Sequence, residues 1–178
     1  MLLGPRCAGK TSVALRLGAW WSRRVVDLDD VTAAMCGFST PGEALRTLGE
    51  PAFRLAEADA LRSVLLRRGP QVVALGGGTP LAPGARELLL GARASRRARL
   101  IYLHAPADVL RARLGSTNLG TRPALQGASA LDEVEQVLRS REALYRELAQ
   151  HVVDTHRLDL DGAAHAVATW VRGPTDAV

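Results

Sequence analysis

Eight residues near the amino end, Gly4-Pro5-Arg6-Cys7-Ala8-Gly9-Lys10-Thr11, fit the pattern of a glycine, any four residues, then Gly-Lys-Thr. Glycines let a backbone adopt unusual dihedrals and turn its N–H groups inward, and a helix opening just behind them adds positive potential. Together these features cradle a polyphosphate. In such a cradle Lys10 reaches the outer phosphates, and the Thr11 hydroxyl is placed to ligate a Mg²⁺ that bridges the same oxygens. The composition sharpens this assignment. The chain holds 23 lysine and arginine residues, and Lys10 is the single lysine among them. A sequence that uses arginine nearly everywhere keeps lysine where a guanidinium does not fit. The bland alternative is a turn that caps a helix, with Thr11 an ordinary helix residue. Cys7 disturbs the pattern, because many phosphate loops have a further glycine there; it either adopts dihedrals tolerable to a side chain or brings strain.

A second chemical constellation is Asp27-Leu28-Asp29. Read as the end of a strand, period-two alternation sends both carboxylates to one side, toward the sheet edge where ligands of open α/β folds bind. One acid then assists Mg²⁺ and the other faces an acceptor hydroxyl. The competing reading is that Asp29 or Asp30 caps the next helix. The four histidines, His104, His151, His156 and His165, show no metal-ligand spacing.

The elements that must position these groups alternate. Met1 to Leu3 is a short apolar strand and Lys10 to Trp21 a helix; Arg24 to Leu28 is a strand, and helical patterns cover about 42–49 and 51–68. A strand at Gln71 to Leu75 runs into Gly76, Gly77 and Gly78. Then come a helix at about 83–92, a strand from Ala98 to His104, a helix from Pro106 to Leu114 and a polar loop at 115–130. Leu131 to Ala149 is a long helix, His151 to Val153 a strand, and Gly162 to Arg172 a last helix. Alternating strands and helices predict an α/β fold with a parallel sheet covered on both faces. The first strand is short for a central one, as a start codon placed too late would make it.

The chain has 178 residues, enough for one domain with a sizeable core. Hydrophobic residues at 47% and charged residues at 23% exclude disordered and fibrous classes. No apolar run approaches the roughly 20 residues of a membrane span, and the amino end lacks a signal-peptide pattern, so a cytoplasmic location is expected. Two cysteines, Cys7 and Cys36, are too few for a disulfide framework. The net charge of +5 comes from dispersed arginines with acids between them and no interleaved aromatics, which argues against nucleic-acid binding.

Taken in order, GPRCAGKT at 4–11, DLD at 27–29, FRLAE at 53–57, LGGGTPL at 75–81, TRPAL at 121–125, SREALYREL at 140–148 and VVDT at 152–155 resemble the shikimate kinase family over about residues 1–156. The resemblance implies a three-layer P-loop kinase fold with a five-stranded parallel sheet of order 2-3-1-4-5 and helices on both faces. It also implies one domain over 1–178, with an acceptor-binding insertion at about 29–62 and a mobile lid at about 115–130. The implied substrates are ATP with Mg²⁺ and shikimate, and the implied product is shikimate 3-phosphate. A monomer is expected.

Site roles follow from the resemblance by position. Gly4, Cys7, Ala8, Gly9, Lys10, Thr11 and Ser12 line the nucleotide phosphates, and Thr11 and Asp27 hold the metal. Asp29 binds the acceptor hydroxyls as a candidate base or orienting group. Arg54 and Arg141 grip the acceptor carboxylate, a task suited to a planar, bidentate guanidinium. Gly76, Gly77 and Gly78 approach the bound acid, and Glu57, one helical turn after Arg54, steadies that arginine. Arg122 is the lid arginine that stabilises charge on the transferred group. Arg113 lies near the adenine-stacking position of the family, although the lid here differs in length. Two rival functions share the phosphate cradle: a kinase for another polyol acid such as gluconate, and a non-catalytic ligand-sensing module.

Overall fold

A computed structural model describes residues 1–116 and 133–173. Five parallel strands form its sheet: β1 (Leu2–Leu3), β2 (Arg24–Asp27), β3 (Gln71–Ala74), β4 (Ile101–His104) and β5 (His151–Asp154), in the order β2-β3-β1-β4-β5. The helices between them are α1 (Lys10–Trp21), α2 (Leu28–Met35), α3 (Pro41–Leu66), α4 (Ala85–Ala94), α5 (Ala107–Ser116), α6 (Glu133–Leu148) and α7 (Leu160–Arg172). Among the described residues no helix is long and apolar enough to cross a membrane.

Strand alternation builds two cores, one on each face of the sheet. Leu3, Val73, Leu75, Leu100 and Tyr102 turn toward α3, α4 and α6, packing on Leu61, Val64, Leu89 and Leu148. Their neighbours Leu2, Val72, Ala74, Ile101 and Leu103 turn the other way, onto Val13 and Leu17 of α1, Leu110 of α5 and Val167 of α7. Buried on both faces, the strands read as continuous apolar runs, as central parallel strands must. β1 has two residues, yet its backbone is paired on both sides, Leu2 with Ala74 and Ile101 and Leu3 with Tyr102. That pairing fixes where the loop after Leu3 emerges, at the carboxyl edge in the middle of the sheet.

Several boundaries differ from the sequence expectation, and for three of them the local reason is visible. β2 ends at Asp27 instead of Leu28, because the Asp27 side chain accepts the backbone N–H of Asp29 at 3.1 Å and starts α2 there. β4 begins at Ile101 instead of Ala98: the N–H of Leu100 bonds to the Gln150 side chain at 3.1 Å rather than continuing the ladder. The two helical stretches at 42–49 and 51–68 are one run, Pro41–Leu66, broken at Gly49 with φ 77° and ψ 161°. That dihedral pair is open essentially to glycine, and it bends the second half so that Phe53, Arg54 and Glu57 face the sheet edge. A small satellite cluster of Ala33, Ala44 and Phe53 holds α2 against α3.

Candidate active site

The loop from Gly4 to Gly9 joins the carboxyl end of β1 to α1. Gly9 takes the N-cap position at φ 89°, with no side-chain cap and no acid in the first turn of α1. No side chain caps this helix start, the arrangement an anion cradle uses. Ala8 is fully buried beneath the loop, whereas Thr11 and Ser12 are exposed at its mouth. Lys10 is only 9% exposed, and its Nζ donates to the carbonyls of Gly4 at 2.9 Å and Pro5 at 2.7 Å. The ammonium therefore lies under the loop and fixes its curvature. Cys7 adopts φ 62°, the left-handed region that a side chain enters at a cost of about 1–2 kcal/mol. Replacing Cys7 by glycine is expected to raise stability by about 1 kcal/mol, or about 3 °C in melting temperature, once the greater freedom of an unfolded glycine is offset. A thermal scan that shows no rise contradicts this.

Asp27 uses both carboxylate oxygens. One caps α2, and the other accepts the Thr11 hydroxyl at 2.6 Å. A hydroxyl and a carboxylate side by side at the phosphate cradle are the hard oxygen donors that Mg²⁺ takes, with water completing its shell. The alternation argument for Asp27 and Asp29 does not hold, since the chain has become helical by Leu28. Asp29 instead rides on the first turn of α2, and from there it lines a cleft at the sheet edge.

That cleft is also lined by Arg54, Glu57, Gly77, Gly78, Arg141 and Phe53. Its floor is the turn after β3. A Cβ at Gly76 would collide with the Asp29 carboxylate and crowd Glu57 and Thr79, and one at Gly78 would collide with the Arg54 guanidinium. These glycines are what let an acid and a guanidinium close in from opposite sides. Gly77 lies against the phosphate loop, its Cβ position 3.4 Å from the Arg6 nitrogen and 3.6 Å from the Pro5 carbonyl carbon. The acceptor-side groups and the cradle thus share one edge of the molecule.

Arg54 is held from both ends of its helix. It bonds to Glu57, and to Glu50 from Nη2 at 2.8 Å and from Nε at 3.2 Å. Burial of Arg54 opposes its charge, but Glu57 and Glu50 outweigh this and hold the guanidinium above its ordinary pKa. Glu57 is 1% exposed, and its other oxygen accepts the Thr79 hydroxyl at 2.9 Å. Burial pushes the Glu57 carboxyl up, Arg54 counters this only in part, and the charge of Asp29 adds to the push. A raised pKa means that Glu57 takes its proton, as pH falls, earlier than an ordinary carboxylate with a value near 4.5. Acceptor KM is therefore expected to rise in that mildly acidic window, by roughly tenfold at full protonation. Glu57→Gln should raise KM and flatten the dependence; a wild-type profile flat down to pH 4.5 contradicts the assignment. For stability the sign is opposite in sense: the fold binds this proton more tightly than the unfolded chain, so raising the pH through the window removes stability.

Arg141, on α6, donates to the Gly77 carbonyl at 3.2 Å, and Tyr145 donates to the same oxygen at 2.6 Å. Burial drives the Tyr145 phenol up to about 12, so it keeps its proton and remains a donor at neutral pH. Arg113, on α5, bonds Thr155 through its carbonyl at 2.7 Å and hydroxyl at 3.2 Å, and the Cys7 carbonyl at 3.4 Å. It ties the phosphate loop to the segment after β5.

Residues 6–171 match the family model for shikimate kinase. Shikimate kinase 2 of Escherichia fergusonii is 40% identical over 154 residues, covering 86% of this chain and 81% of that protein. Shikimate kinase 2 of Enterobacter sp. (strain 638) is 36% identical over 167 residues, covering 93% and 91%. The chain belongs to the shikimate kinase family. A solved shikimate kinase from Acinetobacter baumannii, in complex with shikimate, superposes with a TM-score of 0.81 at 26% identity, covering 96% of this chain and 90% of that one. The fold is the P-loop kinase fold of the family, with the sheet order 2-3-1-4-5.

Within this shikimate kinase framework Arg122, and the lid at 115–130 beyond Ser116, lie outside the described residues; Gly115 and Ser116 end α5. Several groups at the cleft were not singled out from the sequence. Tyr145 stands one turn after Arg141 and Glu50 one turn before Arg54, an i,i+4 spacing that was there to be read. Arg6 lines the cleft from the phosphate loop, where no periodicity predicts direction.

Proposed function

We infer that this protein transfers the γ-phosphoryl group of MgATP to the 3-hydroxyl of shikimate, giving shikimate 3-phosphate and ADP. The observation that carries this reading is the contact of Gly77 with Pro5 and Arg6, which joins a polyphosphate cradle and a carboxylate-gripping cleft in a member of the shikimate kinase family. In this reading Arg54 and Arg141 pair with the acceptor carboxylate, and the backbone of Gly76, Gly77 and Gly78 forms the floor on which the ring rests. Asp29 orients the ring hydroxyl and takes its proton as the oxygen attacks phosphorus. The loose transition state of such transfers asks little of a base, so orientation is the larger part of its task.

On the donor side the loop N–H groups and Lys10 hold the phosphates. Thr11 and Asp27 hold Mg²⁺, which supplies neutralisation of charge on the phosphate oxygens. The lid arginine Arg122 is assigned the transferred group, and Arg113 the base of the nucleotide. We place the protein in the cytoplasm, where MgATP is available, and assign it a monomeric single domain with its acceptor insertion at about 29–62.

The test is ADP release by purified protein with MgATP and shikimate, against the no-acceptor background and against gluconate. Stimulation by shikimate alone is expected. Equal rates with and without shikimate would falsify the reading.

A further inference from the structure

We infer that Tyr145 is a positioning residue for the acceptor: its hydroxyl holds the Gly77 carbonyl, so that Arg141 is released from that oxygen when the acceptor carboxylate arrives. The inference rests on the function proposed above, in which Arg141 grips that carboxylate, and adds a residue that acts through Arg141.

The three glycines after β3 use their carbonyls differently. Gly76 accepts the backbone N–H of Thr79 at 3.2 Å and Gly78 that of Leu81 at 2.8 Å, the bonds of a tight turn. The Gly77 carbonyl instead takes two side chains from α6, the Tyr145 hydroxyl at 2.6 Å and Nη1 of Arg141 at 3.2 Å. Residues 141 and 145 are one helical turn apart, so both reach from the same face of α6 to one oxygen. Gly77 is buried, and a buried carbonyl without a donor loses the full value of its hydration. One donor meets that need. The second is in excess.

The two donors are not equivalent. Tyr145 is fully buried, with its ring packed against that of Tyr102 at 5.3 Å between centroids, so the phenol has a single place to be. Burial pushes it up to about 12, and the Arg141 charge beside it counters this only in part, so the hydroxyl keeps the proton it donates. Arg141 is half-buried, lines the acceptor cleft and makes the longer of the two bonds.

The comparison with Arg54 shows what the excess donor is for. Arg54 is fixed by Glu57 and Glu50 and meets the acceptor already oriented. Arg141 is oriented in the free protein by its bond to Gly77, and any turn of the guanidinium toward a carboxylate stretches that bond. A charge-assisted pair outweighs a bond to a neutral carbonyl, provided that the carbonyl is not stranded by the exchange. Tyr145 meets this condition, because it stays on Gly77 while Arg141 turns.

The experiment is a double-mutant cycle of Tyr145→Phe and Arg141→Ala, read by shikimate Kd and KM, kcat, ATP KM and melting temperature. Tyr145→Phe keeps the ring against Tyr102 and removes only the hydroxyl; Tyr145→Leu is the second hydroxyl-free variant should the first not fold. Alone, Tyr145→Phe is expected to weaken shikimate Kd and KM by about tenfold, with kcat and ATP KM within about threefold, because binding must then take the last donor from Gly77. In the Arg141→Ala background the carbonyl has no side-chain donor in free or bound protein, so the same change should alter shikimate Kd by no more than about twofold. Melting temperature runs the other way and needs no ligand. Each donor backs up the other, so the double variant should melt about 5 °C lower than the two single shifts add up to. An equal factor on shikimate Kd in both backgrounds would make Tyr145 a general support of the cleft floor and overturn the inference, as would wild-type shikimate affinity in a folded Tyr145→Phe or additive melting shifts. If the wild type itself binds no shikimate, it is the proposed function that fails, and the melting cycle alone decides whether the two donors share Gly77.

Discussion

Replacing Lys10 with alanine is expected to lower kcat with shikimate by about a thousandfold, the scale on which one preorganised charge acts on a developing anion. The site is narrow. Nζ is within 2.9 Å of two successive loop carbonyls and the residue is 9% exposed, so a guanidinium has no room to take the same place. Lys10→Arg is accordingly expected to lose nearly as much turnover as the alanine variant, despite keeping the charge. The chain uses arginine for all its other basic side chains, which agrees with a steric demand at this one position. Steady-state ADP release, with circular dichroism to show that the variants fold, checks both. Turnover within threefold of wild type in Lys10→Arg would mean that charge alone is required.

Arg141→Ala is expected to act on the opposite side of the reaction, raising acceptor KM by roughly one to two orders of magnitude with kcat and the KM for ATP changed by no more than a few-fold. The size corresponds to losing a charge-assisted, forked grip on a carboxylate. The scaffold should survive the change, because Tyr145 still holds the Gly77 carbonyl at 2.6 Å. Separate titrations of shikimate and ATP read out the split. A fall in kcat with unchanged acceptor KM would place Arg141 at the phosphoryl group instead.

The two variants together probe a division that the sequence marks unevenly. The sheet was legible because its strands are short continuous apolar runs set between helical patterns: Leu2 and Leu3, Val72 and Val73, and Ile101 and Tyr102 each supply one residue to either core. The phosphate loop was legible because its glycines and lysine are demanded by backbone chemistry at fixed spacing. Helix ends were less so. Leu28 is apolar like Val25 and Val26 of β2, yet one hydrogen bond from the Asp29 backbone N–H to the Asp27 side chain starts a helix there. Asp29 consequently reaches the cleft from a helical turn and not from a strand.

Side-chain direction in loops was the least legible feature. Arg6 sits in a segment without period, and only the packing of Gly77 against Pro5 and Arg6 shows which way it lies. Tyr145 was within reach of helical spacing, but nothing in the sequence says that a phenol four residues after an arginine will share its acceptor. The broken helix at Gly49 follows the same rule. Glycine and proline at 49 and 51 mark an interruption, but the angle that carries Arg54 to the sheet edge is set by the Gly49 dihedrals, and the second half packs on α2 through Ala33 and Phe53.

The most direct measurement is phosphorus NMR of the products formed from MgATP and shikimate, with correlation from phosphorus to ring protons. The account predicts one new phosphate monoester resonance, coupled to the proton on carbon 3 of the ring and growing in step with ADP. Inorganic phosphate appearing with ADP and no ester signal would mean that cradle and cleft do not work on the same pair of molecules, and would contradict it.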